Sequence, residues 1–183
     1  KKGDPVLVEL AMPDATQLSA RVWIAQVGRI PLLLLDSDIP ENEHELRGVT
    51  DRLYGGDQEH RIKQEILAGI GGVRAIRAYT EVEDLPAPEV FHMNEGHSAL
   101  LSISLLEWQL DGRKPFELHD DDVEAVRRQC VFTTHTPVPA GHDRFPRDLV
   151  SRILGAERLQ LLEAAKVMDS GELNMTHLAL RLS

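Results

Sequence analysis

Over residues 6–35 apolar positions alternate or run together as they do in strands. Val6-Leu7-Val8-Glu9-Leu10 reads as a short strand, Leu18 to Val27 alternates in part, and Ile30 to Leu35 is a continuous apolar run. Gly28-Arg29 between the last two is a two-residue turn, so the pattern predicts a hairpin with at least one well-buried strand. A polar loop, Asp36 to Asn42, contains Pro40. From Gly55-Gly56-Asp57 the period changes. Ile62, Ile66, Ile70, Val73 and Ile76 recur every three or four residues and predict a long amphipathic helix with an apolar core stripe. Asp57 is a suitable N-cap, and Asp57 and Glu59 sit where the helix dipole favours negative charge. Gly69-Ile70-Gly71-Gly72 lies inside this pattern, not between a strand and a helix start. Close packing or a helix break explains it better than a phosphate loop.

Beyond Pro86 and Pro88 the order changes to strand, helix, strand. Glu89 to His92 reads as a strand, Ser98 to Leu110 as a helix, Asp120-Asp121-Asp122 as the start of another, and Val131 to Thr134 as a strand again. Strands joined by helical connections predict a parallel sheet. Leu149 to Met168 reads as helical with an interruption at Gly155. The expected fold is a layered α/β domain. Residues 1–42 form a hairpin-rich β edge, and residues 43–183 supply the helices and parallel strands of one partial domain.

Composition narrows the function classes. The 183 residues are 42% hydrophobic and 27% charged, as a globular chain requires. A net charge of −10 argues against nucleic-acid binding, which needs a basic face. The single cysteine, Cys130, cannot form an internal disulfide, and Ile30 to Leu35 is too short to span a bilayer. The expectation is a cytoplasmic protein with neither membrane nor nucleic-acid partners. The chain opens on Lys1-Lys2-Gly3 without methionine and stops within the apolar pattern Leu180–Ser183, which predicts a piece of a longer protein.

Two strands end in polar loops: Phe91-His92-Met93-Asn94-Glu95-Gly96-His97 and Phe132-Thr133-Thr134-His135-Thr136-Pro137. Ligands of open parallel sheets bind beyond the carboxyl ends of the strands. If both strands share one sheet, Asn94, Glu95, His97, Thr134 and His135 line one rim, suited to a neutral, hydroxyl-rich ligand. The plainer reading is structural: His97 starts its helix, with Asn94 or Glu95 as the cap. A metal site is disfavoured. His92 and His97 are five apart and His135 and His142 seven apart, and neither pair matches His-Glu-x-x-His. His44, His60, His119 and His177 stand alone as surface or capping residues, and helix capping accounts for the Asp120–Asp122 cluster.

Several motifs in order resemble the α-glucan phosphorylase family, bacterial branch. They are Leu53-Tyr54-Gly55-Gly56-Asp57, Arg61-Ile62-Lys63-Gln64-Glu65, Gly69-Ile70-Gly71-Gly72, Val90 to Ala99, and Phe132 to Asp143. The resemblance runs from about Leu18 to the last residue. It implies a portion of the N-terminal half of a two-Rossmann-domain glycosyltransferase that releases glucose 1-phosphate from α-1,4-glucan ends with inorganic phosphate. The family uses the phosphate group of pyridoxal phosphate to exchange protons with the substrate phosphate. Its attachment lysine and phosphate-cradling glycine loop match nothing in this sequence, so the isolated chain is expected to be inactive and to hold no cofactor.

His135 would contact the 6-hydroxyl of the transferred glucosyl unit and offer its main-chain carbonyl near the charge developing on the ring. His97 is the second implied catalytic residue, beside Asn94 and Glu95 near the anomeric carbon. Thr134, Thr136 and Asp143 join Asn94 and Glu95 as implied substrate-binding residues, and Pro139 to Asp143 would border the glucan channel. Vertebrate members carry Asp-Thr-His where this chain has Glu95-Gly96-His97. The longer protein would partner with glucan, phosphate and its own C-terminal domain; its oligomeric state is left open. A non-catalytic glucan-binding module and a metal-dependent hydrolase are the rival readings.

Overall fold

The computed structural model describes residues 3–52, 56–138 and 141–183. Leu53, Tyr54 and Gly55 of the first family-like motif, and Pro139 and Ala140 of the channel-side loop, lie outside the described residues. The chain divides into two compact units, Lys1–Ala87 and Pro88–Ser183. Both mix helices and strands, so the α/β class holds.

In the first unit, β1 (Leu7–Ala11), β2 (Gln17–Val27) and β3 (Ile30–Asp36) form an antiparallel sheet in the order β1-β2-β3. Val27 pairs with Ile30 across the Gly28-Arg29 turn, where Gly28 takes a φ of 61°. That left-handed value is what a two-residue hairpin turn asks of its central residues. Val8, Leu10, Leu18 and Ala20 are buried on one face. After a short helix α1 (His44–Arg47), α2 (Gln58–Ile66) runs through a π-helical turn (Leu67–Gly71) into α3 (Gly72–Val82). The helix begins where the sequence predicts, with Asp57 accepting a hydrogen bond from the His60 N–H at 2.9 Å. Ile62, Ile66, Ile70 and Val73 are buried and form its core stripe, while Ile76, expected in the same stripe, is only partly buried.

The glycine cluster belongs to packing. A Cβ on Gly71 would lie 3.0 Å from Leu67 Cδ1, and 3.6 and 3.7 Å from the side chains of Leu10 and Leu35. Glycine thus leaves room for the Leu67 side chain within the π turn, while the sheet side chains stand at ordinary contact distance, and the Arg74 guanidinium donates to the Glu9 carbonyl beside it. A second tie closes the polar loop. Buried Asn42 accepts from the Ser19 N–H at 2.8 Å and donates to the carbonyls of Ser19 and Ser37, both at 2.7 Å.

One expectation fails here. The apolar run of β3 does not make a fully buried strand: Ile30, Leu32 and Leu34 are 59, 48 and 46% exposed. β3 is the edge of the sheet, and Pro31, which has no N–H to offer a ladder, fits an edge position. Both faces of the strand carry apolar side chains, so the alternation between covered and open faces leaves no trace in the sequence.

In the second unit, β4 (Phe91–Asn94) pairs in parallel with β5 (Cys130–Thr133). Between them run α4 (Leu101–Leu110) and α5 (Asp120–Arg127). Leu101, Ser102, Ile103, Ser104, Leu105 and Leu106 are all buried, as in a helix covered on every side. Ser102 satisfies its hydroxyl by donating to the Ala99 carbonyl at 2.7 Å. The acidic start of α5 is structural, as expected. Asp122 accepts from the His119 N–H at 2.9 Å and from both terminal nitrogens of Arg113, at 2.7 and 3.0 Å. The Arg113 hydrogen bonds hold its carboxyl below the usual range.

After β5 come β6 (Arg144–Pro146), α6 (Arg147–Leu154), α7 (Ala156–Ala164), β7 (Met168–Asp169), β8 (Glu172–Asn174) and α8 (Met175–Arg181). Gly155, with φ 90°, breaks the helical stretch as predicted. The stretch ends at Ala164, however, and Met168 belongs to a strand rather than a helix. β6, β8 and β7 form a small antiparallel sheet in that order, where only parallel strands were expected. Among the described residues no helix is long and apolar enough to cross a membrane.

Candidate functional site

The parallel register brings the carboxyl ends of β4 and β5 level, because Asn94 stands opposite Thr133. Alternation along β4 buries Phe91 and Met93 and leaves His92 and Asn94 exposed. On that open face the His92 Nε2 lies 2.8 Å from the Thr133 hydroxyl. Two residues further along each strand, the His135 Nε2 lies 2.8 Å from the Asn94 Oδ1. The Asn94 oxygen can only accept, so the ring nitrogen facing it carries the proton and donates. Nδ1 of His135 is then the ring atom left to accept from a hydroxyl.

The ladder gives out immediately beyond this pair, and Glu95 replaces it. Its N–H still donates to the Thr133 carbonyl at 2.8 Å. Its backbone then turns through φ 62°, ψ 174°, a region otherwise almost reserved for glycine. The turn swings the carboxylate across to the other strand. Oε1 accepts from the N–H of His135 at 2.8 Å, the N–H of Thr136 at 3.0 Å and the Thr136 hydroxyl at 2.9 Å. Oε2 accepts from the Thr134 hydroxyl at 2.9 Å. Glu95 is only 8% exposed, and these donors, the His135 N–H foremost, hold its carboxyl down to a pKa of about 2. Burial acts in the opposite direction and is outweighed. Glu95 therefore does not cap the turn at Gly96–Ser98 through its side chain, and neither does Asn94, whose oxygen faces His135.

Gly96 lies against the start of α8: an added Cβ would come within 3.1 Å of the Met175 Cβ. His97, the next residue, has its Nδ1 3.5 Å from the Asp143 Oδ2. The Asp143 carbonyl accepts from the Met175 N–H at 3.0 Å, and the His142 Nδ1 lies 2.7 Å from the Thr176 hydroxyl. Asn174 caps α8 by accepting from the N–H groups of Thr176 and His177 at 3.0 and 3.2 Å. Gly141 packs directly against the Thr136 side chain, in space that a Cβ would have to share with it.

All seven residues singled out from the sequence thus fall into two contacting groups at one end of the second unit. One group is Asn94, Glu95, Thr134, His135 and Thr136, and the other is His97 with Asp143. Sequence reasoning missed Asn174 and Thr176, and it gave Thr133 and His142, both within its motifs, no partner; all four support these groups. Asn174 alone carries a local signal, an asparagine set before an apolar helical stretch; the others act across more than thirty residues.

A polar cleft edge at the carboxyl ends of parallel strands is where α/β enzymes present their ligand-binding groups. The enzyme class is defined by comparison with known proteins. The chain is 59% identical to glycogen phosphorylase of Mycobacterium tuberculosis strain H37Rv, across 99% of this chain and 22% of that protein. It is 39% identical to maltodextrin phosphorylase of Thermococcus litoralis, across 100% of this chain and 21% of that protein. It is also 29% identical to glycogen phosphorylase of Aquifex aeolicus, across 88% of this chain and 24% of that protein. No family model matches. These relatives are glycosyltransferases, and this chain is a segment of their family, the α-glucan phosphorylases. It spans about a fifth of the length of the curated relatives it matches.

Proposed function

We propose that the longer protein containing this segment is an α-glucan phosphorylase. It takes the terminal α-1,4-linked glucosyl unit of glycogen or maltodextrin onto inorganic phosphate and releases glucose 1-phosphate. The observation that carries this reading is the 59% identity extending over 99% of the chain. Residues 1–183 are then part of one Rossmann-like domain, the N-terminal of two that face each other across a cleft in a cytoplasmic enzyme. The segment supplies one wall of the active site and does not turn over substrate alone.

In this reading His135 receives the 6-hydroxyl of the transferred glucosyl unit at Nδ1, because Asn94 occupies Nε2. The His135 carbonyl faces the positive charge that develops on the sugar ring, an interaction that strengthens in the transition state. His97, paired with Asp143, borders the anomeric carbon. The hydroxyls of Thr134 and Thr136 sit at the same edge. Pyridoxal phosphate supplies the longer protein with a phosphate group that exchanges protons with the substrate phosphate. The strand-end groups of this chain are imidazoles, hydroxyls and carboxylates, with neither an amine nor a phosphate cradle, so no residue here is assigned to holding it.

The test is phosphorolysis by the full-length protein. It should form glucose 1-phosphate from maltoheptaose and phosphate, and His135→Ala should lower turnover sharply. Binding of maltoheptaose by a full-length protein that forms no glucose 1-phosphate would favour a glucan-binding module instead.

A further inference from the structure

The loop that carries His135 lies beyond the sheet ladder, since the β4–β5 pairing ends at Asn94 and Thr133. Its backbone N–H groups at His135 and Thr136 would have no strand carbonyl to meet. Both donate instead to one carboxylate oxygen of Glu95, which also accepts from the Thr136 hydroxyl, while the other oxygen takes the Thr134 hydroxyl. Four donors from three consecutive residues converge on one side chain. An unfavourable backbone conformation at Glu95, with φ 62°, is what aims that side chain at them. A strained conformation persists where surrounding interactions over-determine it, and such positions cluster at functional sites.

We infer that Glu95 is a positioning residue: its carboxylate is an anchor for the 134–136 loop and sets where the His135 carbonyl and ring stand. It acts through His135 and does not itself contact the sugar. Oε1 already serves three donors and Oε2 one, so four hydrogen bonds commit the carboxylate chiefly to the loop. The side-chain length matters as well. Aspartate would withdraw the oxygens by roughly 1.5 Å, one C–C bond, and could not span the bonds of 2.8 to 3.0 Å that glutamate makes.

This inference rests on the phosphorylase reading for its catalytic consequence, but the anchor itself is tested without turnover. In the full-length protein, hydrogen exchange at the amides of His135 and Thr136 should be slow. It should speed at least tenfold in Glu95→Gln and Glu95→Asp, with the strands β4 and β5 unchanged. Unchanged exchange at both amides would overturn the anchor, whatever reaction the protein performs. For catalysis, Glu95→Gln should lower kcat by about 10- to 100-fold, the scale of a small misplacement of a catalytic group, with the KM for maltoheptaose within twofold. Adding His135→Ala to Glu95→Gln should cost little more, because both changes disable one unit. Effects that multiply would show that Glu95 acts independently of His135 and would sink the positioning role. Thr136→Val removes one of the four bonds and should speed exchange at the same two amides by a smaller factor, so the test survives if the Glu95 variants fold poorly. A wild-type protein that makes no glucose 1-phosphate would overturn the phosphorylase reading, while the amide exchange would still decide the anchor.

Discussion

Acid should leave the Glu95 carboxylate ionised far below the pH at which other glutamates protonate. The perturbation is a titration of the protein from pH 7 to pH 3, and the structure sets its outcome. Hydrogen bonds from the His135 N–H and from the Thr134 and Thr136 hydroxyls outweigh burial and bring the pKa from 4.5 to about 2. At pH 3 a carboxyl with a pKa of about 2 is about one-tenth protonated, whereas one at 4.5 is almost fully protonated. A carboxyl depressed by folding contributes stability that is complete above the unfolded value. That contribution is lost as pH falls through the folded one. The anchored loop should therefore stay closed down to pH 3 and open only as pH approaches about 2. The assay is carbon-detected NMR of the Glu95 Cδ, assigned with the Glu95→Gln variant as reference. The resonance should stay flat between pH 7 and pH 3.5, and Thr136→Val should move its midpoint upward. A titration of the wild-type resonance centred near 4.5 would refute the account of the carboxylate, because it would mean that the four donors are not bound to it.

Two further outcomes follow from the rest of the fold. Asn42→Ala removes three buried hydrogen bonds, two that tie the 36–42 loop to Ser19 of the sheet and one within the loop to Ser37. At about 1 kcal/mol each it should destabilise the first unit by about 3 kcal/mol in urea unfolding followed at Trp23; a loss below about 1 kcal/mol would show that the tie is made by water equally well. Cys130 is 6% exposed, and burial pushes its thiol up to about 11 from 9.0. Alkylation by iodoacetamide at pH 8 should be about 100-fold slower than for an ordinary thiol and recover in urea, and rapid labelling of the native protein would contradict the packing of β5.

The sequence carried these elements unevenly, for physical reasons. The Gly28-Arg29 hairpin, the Asp57 cap, the isoleucine stripe and the Gly155 break are all encoded within a few residues of where they act, and each is found where its pattern predicts. The order strand, helix, strand was enough to expect the parallel pairing of β4 with β5 and hence the meeting of Asn94 with His135. What was hidden depends on distant partners. Whether Ile30, Leu32 and Leu34 face protein or solvent is decided by which face of the sheet is covered, not by their own hydrophobicity, and Trp23 on the neighbouring strand shares their open face. The strands β6, β7 and β8 are two or three residues long, too short for any alternation to register. Glu95 was read as a cap because a carboxylate beside a helix start usually serves nearby groups, and as a sugar contact only through the family resemblance; its positive φ sends the carboxylate to residues forty positions away, so it does not cap.

The measurement that bears most directly on the central claim pairs His135 with the sugar hydroxyl it is proposed to bind. The full-length protein is run in the synthetic direction, with glucose 1-phosphate and its 6-deoxy analogue as alternative donors, for wild type and His135→Ala. A hydrogen bond made to that hydroxyl in the transition state should make the wild type prefer glucose 1-phosphate by about tenfold or more in kcat/KM, the equivalent of about 1.4 kcal/mol. His135→Ala should lose most of that preference. Equal discrimination by both proteins would contradict the account, because it would place the 6-hydroxyl away from His135 and leave the strand-end site without its sugar.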